Sequence, residues 1–150
     1  DISNPNQAVT IVQRKGKMDK KFLISSELEP VNLEWGVQHW YSDPKTTGAE
    51  ELVVVEVEIF PGYGHDFHKH PNQEESIFVL EGEIEQWLET ESKILKKGDS
   101  AFIPKGKVHA SFNISEEPVK ALAILGPCIG EEGYELVDVS DQPPWNELRS

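Results

Sequence analysis

Arginine is almost missing from this chain: Arg14 and Arg149, both in the terminal segments, are its only two. Bidentate clamping of carboxylate or phosphate dianions normally uses arginine, so a sugar phosphate would have to rely on Lys69, Lys105, Lys107 or backbone groups. Cysteine is scarcer still. Cys128 stands alone, which excludes an internal disulfide, leaves no thiolate set for a closed zinc site, and favours a reducing, cytoplasmic compartment. It sits between Pro127 and Ile129 with no histidine at an activating spacing, and reads as a small apolar side chain rather than a nucleophile. No apolar run reaches the length of a membrane span, and the first residues carry neither the basic nor the apolar stretch of a signal peptide. Met18 is the only methionine, so residues 1–17 read as an extension, native or processed; export followed by trimming at Asp1 stays open. Positive charge is outweighed throughout. The formal net charge is −13, which excludes nucleic acid and anionic membranes as partners.

Helical periodicity is lacking as well, apart from one turn that "PPWNELRS" (143–150) could make. The dominant period is two. "ELVVVEVEIF" (51–60) puts Val53, Val55, Val57 and Ile59 on one face and Glu56 and Glu58 on the other. Segments 74–83, 83–89, 100–104, 108–114, 119–125 and 134–139 are further strand candidates, and 9–13, 21–25 and 35–42 weaker ones. Turn signals separate them, among them Pro61-Gly62, Glu81-Gly82, Gly98-Asp99 and Pro104-Lys105-Gly106. Short strands punctuated in this way predict an all-β sandwich or barrel. With no repeats or linkers, residues 1–150 are expected to form one domain: an N-terminal extension or strand (1–20), a core barrel (50–126) and a C-terminal tail (140–150).

Against this β pattern stands "HDFHKHPNQEESIFVLEG" (65–82), which sets three histidines and two glutamates at the edge of an apolar string. Each is costly to bury alone. On a strand His68 and His70 face one side while Lys69 faces the other. If Ile77 and Val79 point inward, so does Glu75, and Glu74 and Ser76 point out. His109 opens a later strand and shares its face with Ser111 and Asn113. Taken singly, these are a solvated surface pair, an edge charge and a core histidine. Together they fall on the apolar-facing phase of separate strands, and three imidazoles with one carboxylate suit a divalent first-row metal that keeps positions for substrate.

The same residues carry a resemblance. Gly62, five residues, His68-x-His70, four residues, Glu75, six residues and Gly82 resemble the first signature of the cupin superfamily. Gly98, five residues, Pro104-x-Gly106, two residues, His109, three residues and Asn113 resemble the second, and the fifteen-residue spacer is that of small microbial members. The resemblance implies a double-stranded β-helix (jelly-roll) barrel in which His68, His70, Glu75 and His109 hold one metal. Iron(II) is the first choice, with manganese, nickel or zinc as alternatives. It further implies a quercetin dioxygenase-like oxygenase, Glu75 doubling as catalytic proton acceptor, and a homodimer that exchanges N-terminal strands. A non-redox isomerase, lyase or decarboxylase, and a binding module without turnover, are the rival readings.

The remaining polar and aromatic residues refine the pocket. His65 lies an odd number of positions from His68, so alternation sends it to the outer surface, while the turn at Gly62-Tyr63-Gly64 leaves open a place at the pocket as a supporting group behind the ligands or a proton shuttle. Trp35 and His39-Trp40-Tyr41 either cap the barrel mouth or pack at a subunit interface. Gln86 shares phase with Ile84 and Leu88 and is the better pocket candidate than Trp87. Asn113-Ile114-Ser115 is a formal glycosylation sequon, discounted because Asn113 belongs on the barrel. With Gln86, Ser111 and Asn113 as its neutral polar groups and no arginine, the pocket is expected to take a neutral or singly anionic small molecule: an enediol, phenol, β-dicarbonyl or monocarboxylate.

Overall fold

The structure is a computed structural model that describes residues 9–10 and 19–149. Among the described residues twelve strands form two antiparallel sheets. One sheet orders β1 (Val9–Thr10), β12 (Leu136–Asp138), β5 (Gly64–Lys69), β10 (His109–Phe112), β7 (Glu83–Leu88) and β8 (Glu91–Lys96). The other orders β2 (Val31–Asn32), β3 (Gly36–Ser42), β4 (Val53–Ile59), β11 (Val119–Gly126), β6 (Glu74–Glu81) and β9 (Ser100–Ile103). Apart from β2–β3, β3–β4 and β7–β8, which pair directly, chain neighbours lie in different sheets, as in a jelly-roll barrel. Among the described residues no helix is long and apolar enough to cross a membrane.

The core follows the two-residue period. In β11 buried and half-buried positions alternate along all eight residues, and Val53, Val55, Ile59, Ile77, Val79, Ala121, Ala123 and Leu125 fill the space between the sheets. β10 departs from alternation because all four of its residues are buried. Its inner face looks into the barrel, while Ala110 and Phe112 lie in an outer cluster with Phe67, Val108, Val137 and Val139, against which Trp145 and Leu148 pack. The C-terminal segment thus roofs this sheet, and its one-turn 3-10 helix at Trp145–Glu147 is the turn that the sequence allows. Arg149 closes the roof, its guanidinium 3.7 Å from the centre of the Phe112 ring and its Nε donating to Glu85 at 2.7 Å.

Gly82 turns the chain from β6 into β7 at φ +82, where a Cβ would stand 2.9 Å from the Val119 side chain. Only glycine adopts that backbone without strain and leaves that space. Two strand expectations need correction. Segment 21–25 forms no strand; Phe22 is 84% exposed and the chain goes into a 3-10 turn at Ser25–Glu27. Conversely, β8 has no period-two signal because five of its six residues are exposed. It exists through its hairpin pairing with β7. Segment 9–13 is a strand at Val9–Thr10, and its remainder lies outside the described residues.

Candidate metal centre

The register of the barrel brings the four expected donors together. His109 opens β10 directly opposite His68 on β5, and His70 follows two residues later just past the strand end. Glu75 comes from the facing sheet, where it pairs with Leu125 and Ile103. All four are buried, none more than 7% exposed. The ligand atoms of His68, His70 and His109 lie within 4.8 Å of one another. Glu75 Oε1 stands 2.8 Å from His109 Nε2 and 3.4 Å from His70 Nε2.

Each ring is oriented by the main chain. His68 Nδ1 meets the Asp66 carbonyl at 2.6 Å, His70 Nδ1 that of Glu135 at 2.8 Å, and His109 Nδ1 that of Lys107 at 3.0 Å. A carbonyl only accepts, so Nδ1 carries a proton, and each ring, when neutral, turns an Nε2 lone pair inward. Those lone pairs face a carboxylate, which is also an acceptor. Glu75 Oε1 and His109 Nε2 are accordingly buried with no hydrogen-bond partner. Acceptors gathered around one point are satisfied by a cation, and the group could hold a metal ion: the donors are right for a divalent first-row ion, and the backbone carbonyls lock them in place.

Electrostatics tell the same story. Burial works against the Glu75 charge, yet the His109 and His70 imidazoles hold its carboxyl well below the usual range. Burial also opposes the charge on His70, but Glu75, helped by the Glu135 carbonyl, raises its pKa. His68 is pushed well below the ordinary range by burial and by His65, His109 and His70 around it. His65 falls to about 3, through burial first and then His70 and His109.

His65 is where alternation misleads. Between the pairs His109–His68 and Ser111–His65 the register slips: two steps on β10 are answered by three on β5. That is a β-bulge. The extra residue puts His65 on the same side as His68, and their rings stack at 3.7 Å between centres. Gly64 makes the approach feasible, since a Cβ there would collide with the Phe112 ring. Trp35 stacks on the other face of His65 at 4.6 Å, so Trp35 belongs to the pocket. Trp40 does not cap a mouth; it is buried in the core beside Tyr134 at 5.1 Å.

Gln86 and Ser111 meet as expected, the Ser111 hydroxyl donating to Gln86 Oε1 at 2.6 Å. Asn113 is not a pocket group. Its amide donates to the carbonyls of Ile59 and Glu117 and its oxygen accepts from Ser115; at 1% exposed it is no glycosylation site either. Two glutamines escaped sequence reasoning. Gln38, 6% exposed, accepts the Trp40 indole N–H at 3.2 Å; its alternation with Gly36 and Trp40 was the available signal. Gln73, 1% exposed, donates to the carbonyls of Pro127 and Gly133 and accepts from Glu135 N, anchoring the segment whose carbonyl orients His70. Nothing in the local pattern distinguishes it from a turn residue.

Residues 55–125 match the Cupin domain family, and they contain all four donors and the β5–β10 pair that sets His109 opposite His68. The chain belongs to the cupin family. A protein of Aquifex aeolicus (strain VF5) is 50% identical to this cupin over 60 residues, 40% of this chain. The matched stretch spans about half of that relative, 49% of its length. Polyketide synthase CurC of Streptomyces cyaneus is 28% identical over 122 residues, 81% of this chain and 79% of that protein. In fold the cupin is similar to the polyketide cyclase RemF from Streptomyces resistomycificus, with a TM-score of 0.69 at 19% identity over 86% of this chain and 98% of the other. Enzymes thus stand among the proteins that it resembles.

Proposed function

We propose that this cupin is a metal-dependent enzyme for small enolisable substrates, 1,3-dicarbonyls and catechol-like phenols above all, and that it converts them without net redox change. The observation that carries the reading is the convergence of three imidazole lone pairs and a carboxylate, two of the atoms orphaned, inside a barrel otherwise walled by Val55, Ile77 and Ala123. A divalent ion held by His68, His70, His109 and Glu75 would supply Lewis acidity toward the substrate's oxygens. Glu75, the one donor from the facing sheet, is ionised and beside the substrate space, and accepts the proton as the substrate enolises. Gln86, fixed through its oxygen by Ser111, has an amide hydrogen to offer a substrate oxygen. The apolar walls exclude water from the enol. Among the described residues no arginine is buried, which disfavours dianions. The likeness to a protein named as a polyketide synthase, 28% identical over 81% of this chain, supports an enzyme of small-molecule chemistry.

The oxygenase reading is second. It is favoured by the donor set itself, since three neutral imidazoles and one carboxylate suit iron(II), and the same electron-rich substrates would serve. Thermal-shift titration of protein loaded with iron(II), manganese, nickel or zinc tests both. Diketones and phenols should stabilise it and sugar phosphates should not; the reverse ranking would replace this reading with a sugar-phosphate isomerase. Oxygen uptake with a stabilising ligand on the iron-loaded protein would move the oxygenase to first place.

A further inference from the structure

We propose that His65 is a substrate-positioning residue of this site, offering its ring edge to an oxygen of the bound enol; the inference rests on the function proposed above. Both faces of the imidazole are covered, by Trp35 at 4.6 Å and 17° on one side and by His68 at 3.7 Å and 15° on the other. The residue is nevertheless only half-buried, and with both faces covered only the ring edge is left to meet a ligand. Among the described residues neither nitrogen has a hydrogen-bond partner, in contrast to His68, His70 and His109, whose Nδ1 atoms each meet a carbonyl.

The stack also explains why His65 is no ligand. A ring parallel to that of His68 and displaced along the stack cannot aim a nitrogen at the point where the His68, His70 and His109 nitrogens converge. It stands beside the cluster, stacked on His68, where it can meet the body of a substrate anchored through its oxygens. A neutral imidazole presents one donor and one acceptor, which is the complement of an enol paired with a carbonyl. The bulge that places it there costs β5 a regular ladder position, and bulges commonly re-aim side chains next to active sites. On the opposite strand Ser111, the register partner of His65, holds Gln86. The three residues form one polar rim in an apolar barrel.

The test uses pentane-2,4-dione as probe on the manganese- or nickel-loaded full chain, with His65→Phe and His65→Gln. Phenylalanine keeps a flat ring between Trp35 and His68 and removes both nitrogens, whereas glutamine gives up the stack and keeps a donor. His65→Phe should retain wild-type metal content and circular dichroism while binding the dione at least about ten-fold more weakly, the loss carried by one hydrogen bond in a dry pocket. His65→Gln should lose less affinity than His65→Phe. Equal dione affinity in His65→Phe and wild type overturns the inference and leaves the functional reading standing. Loss of metal from His65→Phe also overturns it, since His65 would then serve only to prop His68. If the wild type itself fails to bind the dione, the functional reading falls and takes the inference with it.

Discussion

Replacing Glu75 by glutamine should change the sign of its effect with pH once metal is stripped away. The Glu75 carboxyl is held below its ordinary value of 4.5, so what it adds to stability is present above that pH. His70 is held above its ordinary 6.5, so its contribution is complete below 6.5 and is lost as pH rises through the folded value. The metal-free pair is therefore at its best between 4.5 and 6.5, where an imidazolium faces a carboxylate. Once pH has passed the raised folded pKa of His70, the carboxylate faces bare lone pairs at 2.8 and 3.4 Å. A glutamine amide then donates where the carboxylate could only repel, and it removes a buried charge. An orphaned buried acceptor costs about 1–3 kcal/mol, and a chain of this length shifts its melting point by about 3 °C per kcal/mol. In EDTA at about pH 9, Glu75→Gln should melt about 3–9 °C above wild type, and at about pH 6 below it by a similar margin. Saturating nickel or manganese should restore the advantage of the wild type. An ion at about a hundred times its dissociation constant adds about 2.7 kcal/mol, whereas the variant, short of one charged ligand, should gain far less. Differential scanning fluorimetry at both pH values, with EDTA and with metal, reads all of this. A variant that is less stable than wild type without metal at both pH values would refute the idea that the cluster is a set of acceptors awaiting a cation.

Other consequences are simpler. His68→Ala combined with His109→Ala should abolish the expected one divalent ion per chain, read by plasma mass spectrometry; full occupancy would sink the ligand assignment. Wild type in EDTA should lose stability as pH falls from 6.5 toward about 3, because burial keeps His65 and His68 neutral and both must charge on the way down; a flat profile would contradict the enclosed stack. Light scattering should return a dimer, since β9 is an open sheet edge with Phe78 41% and Phe102 56% exposed on the outer face. Phe102→Glu should shift it toward monomer, and a monomer mass for wild type would refute this.

Much of the molecule could be read without coordinates. Alternation in 51–60, 74–83 and 119–125 gave strands of the right length and face, because each buries one side against the opposite sheet and leaves the other half open. His68, His70, Glu75 and His109 were legible for a related reason. Costly polar groups on the apolar phase of a strand need a compensating partner, and their spacing matches a known family pattern. What local sequence left undetermined depended on contacts between distant segments. β8 has no apolar face of its own and is held by its pairing with β7, with Leu95 alone packed against the core. Asn113 was read as lining the pocket, although its amide is consumed by backbone carbonyls 54 and four residues away. His65 was read first as a surface histidine because alternation assumes an unbroken ladder, and only the pairing of β5 with β10 shows the bulge that turns it inward. The order of donors along the chain determined which groups could meet a cation. The register between strands decided which fourth histidine would stand beside it.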